Sequence, residues 1–414
     1  MSERKDIEFL IEAILRSTEA EWNSLNEALI GDYTSDELQE LADQLKLHSF
    51  DHLLHTNLEQ AQHMAKFIQQ LGKAADSRWV HGLGLLARAD AVHHSGQPGQ
   101  AMELFQQAGE VFLQARDQVG WARARGGWVV AATYAGLIRE KDLLEMNEAR
   151  QVFRDTGNRY RLAMMDQDIG LAWQKLGNFQ AAIDLLEQAL TTLGPDMTPA
   201  ESRLRGMILG NTATTYLWVS NLARAASLFQ QAHALFLETN SSSYASLTEM
   251  HISVIERLHG HWRNALHLLQ SAIEGLRNAK LPTETALALT YQADLLLALN
   301  RYEEGVVAAT EAVTLLREVE APLHFINSCC MLARALYRCN DVDGALAYLL
   351  EVEHLTARTE TLQVDFPLAL ERASLLLSRG RAMDAKEVAL AFLKTPMTKG
   401  TTLHRQTFGD KGRR

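Results

Sequence analysis

Seven prolines and three cysteines among 414 residues leave few helix breakers and no disulfide framework. The cysteines, Cys329, Cys330 and Cys339, are odd in number and crowded into one stretch, which reads as reduced thiols of a cytoplasmic protein. No apolar run reaches the roughly 18 residues that a membrane span requires, and Met1 to Phe9 lacks the apolar stretch of a signal peptide, so no membrane partner is expected. A phosphate loop of the form GxxxxGK(S/T) is missing, and Gly82-Leu83-Gly84 lies inside a helical pattern, where it reads as a close helix contact. HExxH and paired CxxC motifs are missing too. The expectation is a non-enzymatic chain with no cofactor and no metal.

Charge is scarce in one sense only. The formal net charge is −11, yet residues 1–60 hold 14 acids, among them Glu12, Glu19, Glu21, Asp36, Glu37 and Glu40, against Arg4, Lys5, Arg16 and Lys46. A segment that acidic is repelled by phosphate backbones, which argues against nucleic acid as a partner. The last 21 residues run the other way, with Lys394, Lys399, Arg405, Lys411, Arg413 and Arg414 against Asp410, and read as a solvated, flexible tail.

What the sequence does contain is a period. Ala61, Ala101, Asp142, Ala182, Ala225, Ala265, Gly305, Ala345 and Ala385 follow one another at intervals of 40, 41, 40, 43, 40, 40, 40 and 40. A repeat of that length signals a solenoid whose units pack on their neighbours, and a hydrophobic content of 47% is enough to fill its core. The clearest unit, Arg161 to Leu193, has apolar residues at helical spacing on either side of Gly177-Asn178, predicting two antiparallel helices and a short turn. Gly170 and Ala182 sit where the helices cross, and Trp173, Phe179, Leu186 and Ala189 fill the groove and the outer face. The same pattern recurs at Ala213, Tyr216, Leu222, Ala225, Phe229 and Ala232, at Gly260, Trp262, Ala265 and Ala272, and at Ala293, Asn300, Tyr302 and Ala312. The unit around Gly127 to Thr156 is degenerate, with Asp142 in the small position, and predicts a local distortion.

This pattern of small and aromatic residues resembles the tetratricopeptide repeat family over roughly residues 55–395. Units of about 40 residues are similar to those of MalT-type regulators and of the N-terminal halves of CHAT-domain proteins, although no His-Cys pair of a CHAT domain is visible. The resemblance implies an all-α, right-handed superhelical α-solenoid of about nine antiparallel helix pairs. Around it the expected organisation is an acidic helical cap over 1–54, the solenoid over 55–395 and a basic tail over 396–414. Within the cap, residues 6–30 read as one amphipathic helix carrying Ile7, Leu10, Ile11, Ile14, Leu15, Trp22, Leu25 and Leu29. At the other end, Val388 to Leu393 presents apolar residues with no polar cap, so the expectation is either that a partner or a further domain docks there or that the tail folds back over it.

Chemistry-bearing residues are few. His48, His52 and His55 share a helical face, His93 and His94 are adjacent, and His259 and His261 flank Gly260, but none shows the three or four converging ligands of a zinc site. Cys339, at a helix end, reads as an apolar filler rather than a nucleophile. In the family the first helix of each pair lines the concave face, and the resemblance places Asp90, His93, His94, Gln167, Gln174, Lys175, Trp218, Arg257, Asp294, Arg334, Tyr337 and Arg338 there. Of these, Lys175, Trp218, Arg257, Asp294, Arg334, Tyr337 and Arg338 are the candidate peptide-binding residues. Arg334, Tyr337 and Arg338 can receive an acidic peptide through guanidinium forks and aromatic contact, and Asp294 can neutralise its neighbours locally. The lysine and asparagine clamp of chaperone-binding repeats is missing. The leading expectation is a protein- or peptide-binding scaffold; the alternatives are the sensor arm of a CHAT-type protease or MalT/LuxR-like regulator, and a receptor for a signal peptide or small molecule.

Overall fold

The computed structural model describes residues 2–54, 57–317, 319 and 321–358, with the isolated positions 376, 380, 383 and 384. All regular structure among them is helical. The chain divides into two compact units, Met1–Leu193 and Gly194–Arg414.

The first unit contains α1 (Ser2–Arg16), α2 (Trp22–Asp32), α3 (Ser35–His48) with a π-helical turn Ser49–Leu53, α4 (Leu58–Ala74), α5 (Arg78–His94), α6 (Pro98–Gln114), α7 (Gln118–Tyr134), α8 (Glu140–Leu144), α9 (Asn147–Asp155), α10 (Arg159–Lys175) and α11 (Phe179–Leu193). The second contains α12 (Pro199–Trp218), α13 (Leu222–Glu238), α14 (Ser242–Leu258), α15 (Trp262–Asn278), α16 (Pro282–Ala298), α17 (Tyr302–Arg317), α18 (Pro322–Arg338) and α19 (Val342–Arg358). Sequential helices pair: α5 on α6, α10 on α11, α12 on α13, α14 on α15, α16 on α17 and α18 on α19.

A rigid turn sets the period. Most repeat helices have 17 residues and are followed by a three-residue turn, which taken twice makes the 40-residue unit. The middle residue of the turn has positive φ at steps of about 20, in the first unit at Asp76, Gly96, Arg116, Gly136, Gly157 and Gly177, in the second at Ser220, Asn240, Gly260, Lys280, Asn300 and Asn340. Each closes a Schellman-type motif: Ser77 N–H donates to the Gly72 carbonyl at 2.9 Å, Asp117 to Phe112 at 2.9 Å, His261 to Glu256 at 2.8 Å and Arg301 to Leu296 at 2.9 Å. The residue after the left-handed position often caps the next helix, as Ser77, Asp117, Asn158, Asn178 and Asn221 do with their side-chain oxygens. The Gly177-Asn178 turn thus forms as the sequence suggests, but a search for glycine finds only about half of the turns.

The small landmarks lie at helix crossings. Ala61, Ala101, Ala182, Ala225, Ala265 and Ala345 are fully buried, on α4, α6, α11, α13, α15 and α19. Ala385 lies outside the described residues. The tightest approach is between α4 and α5, where a Cβ on Gly84 would stand 2.4 Å from the backbone nitrogen of Gln69, and one on Gly72 2.3 Å from that of His81. Gly84 is therefore a packing glycine, as its helical setting implies.

Three departures from the repeat have local causes. Asp142 is drawn out of the small-residue role because its carboxylate accepts from Arg139 Nε and Nη2, each at 3.0 Å, and starts the short helix α8; the second helix of that pair is split into α8 and α9. The interval of 43 between Ala182 and Ala225 falls where α12 has 20 residues rather than 17. The expected single helix over residues 6–30 is in fact two. Thr18 N–H and Oγ1 both bond the Glu21 carboxylate, and Ser17 Oγ, which donates back to Ile14, accepts the indole N–H of Trp22, so the chain restarts at α2. Its apolar residues do pack as expected: Ile14 and Trp22 are fully buried, and Trp22 meets Phe67 and His63 of α4 edge-on.

Two substitutions test these elements. Gly84→Ala is expected to cost about 2 kcal/mol, because Gln69 is backbone and cannot yield to the new methyl. Lys280→Gly, which relieves a left-handed lysine, is expected to add about 0.5–1 kcal/mol. Urea unfolding of each variant against the parent chain measures both.

Candidate functional site

In the second unit the first helices of three consecutive pairs meet around one carboxylate. Asp294 and Arg334 are one repeat apart and occupy the same register on α16 and α18, while Arg257 sits near the end of α14. Asp294 Oδ2 lies 3.5 Å from Arg257 Nη1 and Oδ1 lies 3.6 Å from Arg334 Nη1. All three side chains are partly solvated, so the pairs add little stability, about 1 kcal/mol or less each. Two guanidinium groups from different repeats thus approach one carboxylate. Tyr291, one turn earlier on α16, lies within reach of Arg257 and Asp294, and burial raises its hydroxyl above the usual tyrosine value. Nothing in its spacing had marked Tyr291 out.

The other residues expected on this face have different settings. Tyr337 is exposed on α18. Arg338 turns to the preceding repeat: its guanidinium lies over the Tyr302 ring at 4.4 Å, bonds the Tyr302 hydroxyl and donates to Asn300 Oδ1 at 3.5 Å. Trp218, the last residue of α12, is exposed. Lys175 ends α10, exposed, in the first unit.

The first unit holds a second, more enclosed group of charges, most of it missed in the sequence. Helix α5 packs against both α3 and α7. Lys46 of α3 is buried and its Nζ lies 2.8 Å from Asp90 Oδ2 of α5, while Arg123 of α7 reaches Asp43 of α3 at 3.4 Å. Burial lowers the Lys46 ammonium below its usual value, with Asp90 opposing the shift. Of this group the sequence pointed only to Asp90 and, beside it, His93, whose buried Nδ1 has no partner and whose ring meets Tyr134 edge-on at 5.0 Å. Gln167, also expected on this face, is buried with an unpartnered Oε1. The signal for the rest was available: Lys46, Arg123 and Arg161 are bases on helices whose neighbouring positions are apolar.

Other clusters carry less. Glu256, His259 and His261 bring three ligand atoms within 4.8 Å of one another at an α14–α15 turn, the one such group among the described residues. The Glu256 carboxylate there lies 3.1 Å from His261 Nδ1 and accepts from Asn264 Nδ2 at 3.3 Å, which accounts for the convergence. The triplet His48, His52 and His55 falls partly outside the described residues. Cys329 is buried, which pushes its thiol up to about 12, and Cys339 is raised by burial and then by Glu303 and Asp341, so neither is an activated thiolate. A cleft of about 490 Å³ between α15, α16 and α17 is lined by Gln270, Leu289, Gln292 and Val307, and its arginines Arg277 and Arg301 are paired with Glu311 and Glu304.

Residues 170–406 match the family described as the MalT-like TPR region, more than half of the chain. The chain belongs to this family. No curated protein matches it. Solved structures with the same kind of fold include the apo form of the quorum sensor NprR from B. thuringiensis, at 12% identity and TM-score 0.57, covering 86% of this chain and 98% of that one. A STAND protein with a tetratricopeptide repeat sensor, PH0952 from Pyrococcus horikoshii, has 13% identity and TM-score 0.55, covering 92% of this chain and 54% of that one. A Rap protein complexed with Competence and Sporulation Factor has 16% identity and TM-score 0.51, covering 74% and 89%. The MalT-like TPR units are therefore helix pairs of the tetratricopeptide type, as the 40-residue spacing implied.

One carboxylate on this framework has a pH consequence. Burial raises Asp168 of α10 to about 7, against a hydrogen bond from Gln167 that lowers it. A carboxyl raised above its unfolded value favours folding at acid pH, and that contribution is lost as pH rises through about 7. Asp168→Asn is expected to raise the melting temperature at pH 8 more than at pH 5, as read by thermal melts at the two pH values.

Proposed function

We propose that this chain is a non-enzymatic binding module that takes a protein or peptide segment along the face formed by its first helices, with an acidic side chain of the ligand between Arg257 and Arg334. The carrying observation is that two arginines from different repeats converge on a single carboxylate, Asp294, at a solvated site with Tyr337 exposed on the same helix. A ligand carboxylate entering there gains forked charge-assisted hydrogen bonds without first emptying a buried pocket. The fold is compatible with such a role, since the Rap neighbour holds Competence and Sporulation Factor in its crystal. Arg338 is left out of the contact set because Tyr302 and Asn300 engage it.

The cytoplasm is the compartment that fits reduced thiols, and no helix among the described residues is long and apolar enough to cross a membrane. A second reading, the sensor arm of a larger regulator, is favoured by the MalT-like TPR match and by the 54% of the PH0952 STAND chain that this chain covers. An ATPase or protease domain encoded in frame with these residues or in the adjoining gene supports that reading, and its lack there opposes it. Docking on Val388 to Leu393 lies outside the described residues and stays a proposal for the same experiment.

Selection of displayed peptides on the intact chain tests the groove. Acid-rich peptides are expected to be enriched, and the Arg257→Glu/Arg334→Glu double variant is expected to bind them about tenfold or more weakly while keeping its helical circular dichroism. Enrichment of the same peptides with unchanged affinity would sink the assignment.

A further inference from the structure

The charge group of the first unit does not balance. Lys46, Arg123 and Arg161 face Asp43 and Asp90, three cations against two carboxylates, drawn from α3, α5, α7 and α10. Asp90 is committed to Lys46 at 2.8 Å, which leaves Asp43 as the remaining carboxylate, and its contact with Arg123 is a long one at 3.4 Å. Arg123 Nε is buried and has no hydrogen-bond partner. Arg161 is half-buried, and among the described residues its guanidinium makes no hydrogen bond or ion pair. It lies within electrostatic reach of Arg123, Asp43 and Asp90; burial and then the like charge of Arg123 oppose its ionisation, while Tyr160 and the two carboxylates favour it more weakly.

Folding ordinarily avoids this arrangement. A guanidinium carries five donors in a fixed fork and does not neutralise in proteins, so one partly withdrawn from water with no carboxylate hydrogen-bonded to it is a cost the fold bears. Two within electrostatic reach of each other add repulsion. An oxyanion there would receive donors from both forks and offset the excess positive charge of three cations against two carboxylates. The exposed acids of residues 1–40, such as Glu12, Glu21 and Asp36, stand in solvent where salt screens them, so the enclosed charges dominate locally.

We infer that the first unit carries a binding site for an oxyanion group, a carboxylate or phosphate of a ligand, held by the guanidinium groups of Arg123 and Arg161 beside Lys46. The site is separate from the Arg257–Asp294–Arg334 groove and stands or falls without it.

Thermal unfolding of the full chain at neutral pH and fixed ionic strength, with chloride replaced stepwise by inorganic phosphate or by glutarate, is the test. The parent chain is expected to melt at a temperature that rises and saturates with at least one of the two anions. Response to phosphate alone assigns a phosphoryl ligand, and response to glutarate alone a carboxylate. Arg161→Gln removes a cation with no partner, so it is expected to melt above the parent in chloride and to lose the response. Arg161→Lys, which keeps the charge and loses the fork, is expected to bind about tenfold more weakly. Arg334→Gln is expected to respond as the parent does, which separates this site from the groove of the second unit. The inference is overturned if the parent responds to neither anion beyond chloride, if Arg161→Gln keeps the response, or if Arg161→Gln melts well below the parent in chloride, which would mean that the fold already satisfies Arg161.

Discussion

The reversal of the chain every 20 residues is the constraint on which the rest of the structure depends. One residue in the left-handed region, closed by a bond from the next N–H to a carbonyl five residues back, sends each helix antiparallel to the last at almost the same geometry. Because that geometry repeats, a residue on one first helix finds its register partner one repeat later, which is why Asp294 and Arg334 meet. A turn one residue longer would carry every later side chain about 100° round its helix and dissolve those columns. Where the first unit departs from the period, at α8 and α9, the second helix of the pair is broken in two.

Much of this was legible in the residues. The recurring small side chains mark real crossings, because a helix pair can approach closely only where no bulky Cβ substituent intervenes, and Gly84 against Gln69 is the extreme case. The turns were only half legible. Glycine reveals the left-handed position at Gly177 and Gly260, whereas Arg116 and Lys280 occupy it without any local signature, held there by the helices on both sides. The N-terminal hydrophobic pattern identified the right apolar face but not the break after Arg16, since Ser17 and Thr18 act through hydrogen bonds that periodicity does not register.

The binding residues divide in a similar way. The register read through the family resemblance placed Arg257, Asp294 and Arg334 on one face, and the structure brings the three together. It also grouped Arg338 with them, but a side chain as long as arginine selects among neighbours over several ångströms, and the Tyr302 ring supplied a better one. The cluster around Lys46 was hidden for a different reason. Its members are far apart in sequence, Asp43 and Arg123 by 80 residues and Arg161 further on still, and they lie partly in a segment whose net charge is strongly negative. Segment charge reports the exposed acids and says nothing of a few bases turned inward.

The two charged sites differ in what holds them. Arg257 and Arg334 are partly solvated, so their ion pairs with Asp294 constrain the fold little. Lys46 is buried and Arg123 and Arg161 are half-buried, and hydrophobic residues of similar volume would serve packing at least as well. Stability therefore does not explain their presence, and specificity for a bound anion does. In a repeat fold this division is natural: packing between units uses the small landmarks and the apolar positions around them, which leaves the shared face of the first helices free to carry charges that contribute to recognition rather than to the core.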